Sequence, residues 1–145
     1  SRGLGDVYKR QILVTNSEAD TGLPDPFVNP LTGTQYGNYL VIEVTGSGST
    51  LPRVTGATSA FHTQGKDVYV ITLTGLDCKT DPRTGSATPV SKSYGITIDP
   101  TGAPSGSYTV TITAYTDVDL TYIKDYGVVN NDAVSLGSVT LTVNV

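Results

Sequence analysis

The sequence predicts an all-β protein, an antiparallel β-sandwich of about seven strands. Three observations carry that prediction. In Gly106–Thr116, Tyr108, Val110, Ile112 and Ala114 alternate with Thr109, Thr111, Thr113 and Tyr115, the period-two signature of a strand with one face buried. No segment shows helical periodicity. Three stretches, Asn29-Pro-Leu-Thr-Gly33, Asp81-Pro-Arg-Thr-Gly85 and Asp99-Pro-Thr-Gly102, combine an Asx side chain that caps its own turn, a Pro that fixes the next φ and a Gly that accepts positive φ.

The chain opens with Ser-Arg-Gly-Leu-Gly-Asp-Val-Tyr-Lys-Arg-Gln, which holds three of the nine basic residues and shows no alternation. Residues 1–11 resemble the in-frame translation of a transposon-type sequencing-library adapter and are set aside from fold reasoning. On that reading the true start was lost upstream of Ile12, and a missing leader carries no information. Without Arg2, Lys9 and Arg10 six basic residues remain, and without Asp6 twelve acidic ones, so the net charge moves from −4 to −6.

Residues 12–35 are expected to form a short strand, Ile12-Leu-Val, and a tether with Pro24, Pro26 and Pro30. Spaced prolines remove donors that a central strand needs. Such a segment packs on its own domain or reaches another subunit. Residues 36–145 form the sandwich. Asn38–Thr45 is a strand with Leu40, Ile42 and Val44 on one face, and Gly46–Ser49 is a flexible turn. Arg53–Thr55 is a short strand and Gly56–Gly65 a loop. Lys66–Thr74 is a strand whose Val68, Val70 and Tyr69, Ile71, Leu73 make both faces apolar, which requires cover on both sides. Asp77–Ser91 is a polar loop, Ser93–Ile98 a strand, Asp117–Tyr126 a further strand or a structured loop, and Gly137–Val145 the last strand.

The pair Gly-Ser-Tyr-Thr-Val-Thr-Ile-Thr-Ala and Gly-Ser-Val-Thr-Leu-Thr-Val resembles the last two strands of immunoglobulin-like domains of prokaryotic surface proteins. The resemblance covers residues 94–145, most directly 106–145, and implies a corner role for Tyr108. The insertion 117–136 departs from that pattern and leaves a jelly-roll or pilin-like sandwich open.

Composition limits the function. No apolar run approaches the roughly 18 residues of a membrane helix. An acidic chain without a basic cluster suits no nucleic acid. Low charge, 23 Thr and 16 Gly fit extracellular or cell-surface β proteins. Cys78, the single cysteine, excludes an intrachain disulfide and is expected to be a small buried hydrophobe.

Chemistry-bearing residues are sparse, and no enzyme is expected. His62 lacks any motif for a triad, and no close ligand pair makes zinc with Cys78. Asp117 and Asp119, with Asp77, Asp81, Asp99 or Asp132, are calcium candidates, although Asp is equally a turn residue. Lys66, Asn144 and Glu43 are the candidates for an isopeptide crosslink, yet alternation points Glu43 and Asn144 away from the apolar faces. Tyr115, Tyr122 and Tyr126 are candidates for stacking on a glycan. No other cofactor is implied.

The preferred expectation is a non-catalytic structural subunit of a surface filament, pilus or adhesin. Residues 12–16 would self-associate by strand addition, with Ile12, Leu13, Val14, Val68 and Val70 as subunit contacts. The alternative is a carbohydrate-binding or spacer module of a larger secreted protein.

Overall fold

The computed structural model describes residues 7–17, 27–28, 30–31, 35–76 and 78–145. Its strands are β1 (Tyr8–Asn16), β2 (Phe27–Val28), β3 (Gln35–Thr45), β4 (Arg53–Thr55), β5 (Thr58–Thr63), β6 (Lys66–Thr72), β7 (Val90–Asp99), β8 (Ser107–Asp119) and β9 (Val134–Asn144), with one helix, α1 (Leu120–Tyr126). They form two antiparallel sheets. The smaller has the order β1-β7-β4, and the larger β5-β6-β3-β8-β9 with β2 beside the start of β3. The architecture is the all-β sandwich that the alternation predicts.

The main core lies between the sheets. Leu40, Ile42 and Val44 of β3, Tyr108, Val110 and Ile112 of β8 and Tyr69 of β6 meet Val54 of β4 and Ile96 and Ile98 of β7. Period-two alternation on β3 and β8 directs these side chains to one face. Tyr108 fills the corner at the start of β8, where its hydroxyl donates to Pro104 O at 2.6 Å. A Cβ at Gly46 would fall 2.3 Å from the Tyr108 ring, so only glycine admits it.

The outer face of the larger sheet carries a second core of Tyr39, Val41, Val68, Val70, Val118 and Ile123, with Phe61 and Leu120 packed against it. The helix supplies its lid. Asp119 caps the N-terminus by accepting from Tyr122 N at 3.0 Å, Gly127 closes the C-terminus at φ 70°, and Lys124 sits in the last turn, each meeting an end requirement of a helix. Helix α1 replaces the strand or loop expected over 117–126. It also explains the two apolar faces of β6, since Tyr69 and Leu73 face the main core while Val68 and Val70 face α1 and Phe61.

Two further differences concern edges. Thr58–Thr63, expected as a loop, pairs with β6 as an edge strand. The first strand starts at Tyr8 and not Ile12, pairing Tyr8 with Ile98 through Asn16 with Val90. Main-chain pairing needs no particular side chain, and residues 8–11 do alternate, with Tyr8 buried and Lys9 and Gln11 exposed. The Asx-Pro turns at 81 and 99 form as expected, Asp81 accepting from Arg83 N and Asp99 from Thr101 N. Of the turn at 29–33 only residues 30 and 31 are described, as a turn, and most of the tether lies outside the described residues.

Candidate functional site

The two sides of the sandwich are built differently. On one side the chain crosses from the edge strand β4 to the edge strand β5 through Gly56 and Ala57 alone. Gly56 has φ 91°, and a Cβ there would lie 2.6 Å from Gly95 O of β7. The Tyr69 hydroxyl meets the Val54 backbone, and burial raises its pKa despite that bond. This side is closed.

On the other side β1 and β9 face each other, each with an edge that no other described strand pairs. They touch at one end, where Tyr8 Oη donates to Asn144 O at 3.2 Å. From there the strands diverge around a groove of about 620 Å³ with mixed walls, lined by apolar Ile12, Val14, Leu40, Ile112, Leu136 and Val139 and by polar Asn16, Thr116 and Ser138.

The burial gradient along β9 records the divergence. Val143, Leu141 and Val139 stand opposite Tyr108, Val110 and Ile112, so all three face the core. Val143 is 1% exposed and Val139 51%. A valine on the core face of a sheet, half in water, marks a position where the opposing layer is missing. Leu136 is the extra residue of a bulge, lying between the pairs Gly137–Ala114 and Ser135–Tyr115, and it is 53% exposed. Bulges re-aim side chains, and this one turns Leu136 to the groove.

The expected contact residues separate. Ile12, Leu13 and Val14 line the groove, with Leu13 largely exposed. They lie in their own chain's sheet, paired with Tyr94, Ser93 and Lys92. Val68 and Val70 are corrected: they are buried beneath α1 and present no contact surface. Val139 and Leu136 escaped the sequence reading, because alternation assigns a face but not whether anything covers it.

The calcium candidates are engaged elsewhere. The Asp119 carboxylate caps α1. Asn130, itself buried, accepts from Asp119 N, and its amide donates to Asp117 O and Asp132 Oδ1. Asp117 occupies positive φ, 57°. Among the described residues no three His, Cys, Asp or Glu side chains gather as a ligand set, and Asp77 lies outside them.

The tyrosines make no flat platform. Tyr122 and Tyr126 sit 4.6 Å apart between ring centroids but tilted by 45°. Tyr115 packs against the second core, and burial raises its pKa, reinforced by Glu43. His62 Nδ1 bonds the buried Asp67 carboxylate across the β5–β6 hairpin. Cys78 is buried, its Sγ donating to Thr88 O at 3.0 Å. Lys66 Nζ meets Glu43 Oε2 at 3.2 Å. Asn144 lies on β9, two strands from the β3 that carries Glu43, and accepts from Ser107 Oγ on the adjacent β8, so the crosslink candidates do not converge.

No protein-family model matches the chain, and neither a curated protein nor a solved structure is significantly similar to it. The fold and the groove define its class: an antiparallel β-sandwich closed on one side and open on the other.

Proposed function

We propose that the chain is a non-catalytic structural subunit of an extracellular surface assembly, a filament, pilus or adhesin stalk, joined to its neighbours by exchange of β1. The observation that carries this reading is the placement of β1. It is an edge strand whose sheet neighbour is β7, joined to β2 through residues 17–26. Ten extended residues span up to roughly 35 Å, a reach that lets β1 leave its own sheet for the β7 of a second copy.

Leaving costs β1 less than it would cost a central strand. Ile12 and Val14 are half-buried and Leu13 is exposed, whereas Val110 and Ile112 of β8 are fully buried. The same contacts re-form between copies, so exchange joins subunits without new chemistry. On the reading that residues 1–11 are adapter-derived, Ile12–Asn16 is the exchanging segment, although the structure uses Tyr8 as a core residue paired with Ile98. The Tyr108–Pro104 bond and the sandwich itself favour the immunoglobulin-like variant of the fold, and the composition favours the cell surface.

The test is a pair of cysteines, Thr15→Cys with Ser91→Cys. Thr15 Oγ1 and Ser91 Oγ are 2.8 Å apart, and the native Cys78 is buried. After refolding at high concentration and mild oxidation, exchange yields a covalent ladder on a non-reducing gel. A disulfide that forms within single chains alone, in protein that stays monomeric at every concentration, contradicts the proposal.

A further inference from the structure

We infer that β9 is a second, independent interface, at which two copies of this chain pair antiparallel about a twofold axis at Leu141. The free edge of β9 runs Val-Ser-Leu-Gly-Ser-Val-Thr-Leu-Thr-Val-Asn, without a charge or a proline. The edges at β4 and β5 carry such guards: Arg53 after Pro52 at β4, His62 on β5. Charged residues and prolines are the devices by which sheet edges avoid pairing with another chain. On β9 the one such device is the bulge at Leu136, which leaves Ser138–Asn144 straight.

The occupant follows from that straight segment. Val139-Thr-Leu-Thr-Val143 reads the same in both directions. Antiparallel pairing with a second copy about Leu141 therefore sets Val139 against Val143, Thr140 against Thr142 and Leu141 against itself. Apolar side chains meet apolar ones on the core face, and Thr meets Thr on the outer face, the pairings that stabilise antiparallel sheets. An isologous contact requires this self-complementarity.

The hydrogen-bond phase agrees. Gly106 and Val145 exchange both main-chain bonds, so the odd residues Val145, Val143, Leu141 and Val139 point their N–H and C=O toward β8. The even residues Asn144, Thr142, Thr140 and Ser138 point theirs to the free edge. Tyr8 confirms the direction by reaching the Asn144 carbonyl from outside. A twofold axis at Leu141 then makes Thr140 and the second copy's Thr142 a hydrogen-bonded pair, and Leu141 with its own copy a non-bonded pair. Both edges are in phase. The contact also lays Val143 of one copy beside the half-exposed Val139 of the other.

Two variants test the interface without touching β1. Thr140→Pro removes an N–H that faces the edge and not β8, so the fold survives, and the sedimentation dimer of the parent chain weakens on the order of 100-fold, tenfold for each main-chain bond lost. In Leu141→Cys, mild oxidation links the chain to itself, because a non-bonded pair brings Cα atoms to about 4.5 Å, within disulfide reach. Val139→Cys, although more exposed, stays unlinked. A parent chain that sediments as a monomer across a micromolar dilution series, a dimer indifferent to Thr140→Pro, or equal crosslinking at 139 and 141 overturns the inference. The β1 exchange gel is unaffected by Thr140→Pro, so the two proposals fail separately.

Discussion

The closed and open sides of this sandwich differ in how the chain solves the same problem. Both must end two sheets whose inner faces are apolar. At the closed side two residues carry the chain from β4 to β5, and a glycine with positive φ lets its backbone lie against β7. The layers are stitched there covalently, and Val54 is 4% exposed. At the open side the edges belong to strands distant in sequence, and a single tyrosine hydroxyl joins them. Val139 consequently faces the core and remains half in water. A sandwich therefore need not be equally finished at both ends, and the unfinished end is where partner strands gain most.

Substitutions can break or sharpen that contrast, and the largest effect belongs to neither side. Ile112→Asp on β8 buries a charge with no partner and should unfold the domain, read as loss of the cooperative urea transition. Gly127→Ala should cost about 2–4 kcal/mol, since it combines a positive φ with a Cβ placed 2.5 Å from the Phe61 ring. It would dislodge α1 from the outer face and leave the open side untouched. Denaturation and the groove-dependent crosslinks should then respond separately.

The direct comparison of sides uses one chemistry. Val54→Ala on the closed side should cost about 2–3 kcal/mol, and Val14→Ala on the open side about 1 kcal/mol or less, because that side chain is only partly buried. Equal losses in urea titrations would erase the distinction. The smallest effect concerns pH. The Thr101 side chain and backbone hold the Asp99 carboxyl below its ordinary value, aided by Arg53 across the β4–β7 pair. Its contribution is present above the ordinary Asp range and lost as pH falls through the lowered value. Carbon-detected NMR titration should show the Asp99 midpoint below the ordinary Asp value, moving upward in Thr101→Val.

Much of this contrast was legible in the sequence, for reasons tied to particular residues. Strands β8 and β9 announce themselves through strict alternation, which requires only one buried face, and β3 and β6 through apolar residues on both faces. Helix α1 hid because Leu120-Thr-Tyr-Ile123 is made of residues that favour strands, although Asp119 and Gly127 carried its end signals. Strand β5 hid because Thr-Ser-Ala-Phe-His-Thr has no apolar stripe, and its pairing comes from β6. The first half of β1 lies within residues 1–11, set aside for their resemblance to an adapter, although Tyr8 is buried and Lys9 and Gln11 exposed.

The candidate site was half legible. Ile12, Leu13 and Val14 stood out as an apolar run detached by prolines, and they do line the groove. Val68 and Val70 stood out equally, but the cover they require comes from α1, a contact that periodicity alone does not reveal. The exposure of Val139 depends on where two sheets part, a property of tertiary geometry with no local sequence signal.

The most direct measurement of the central claim is native-state hydrogen exchange, residue by residue, on the monomer. If the open side is the exchangeable one, the amides of Ile12–Asn16 open by a local route several kcal/mol below the global unfolding of Val110 and Ile112, with the β4–β5 corner staying with the global value. Exchange of β1 amides only through global unfolding, at the same free energy as β8, would contradict it.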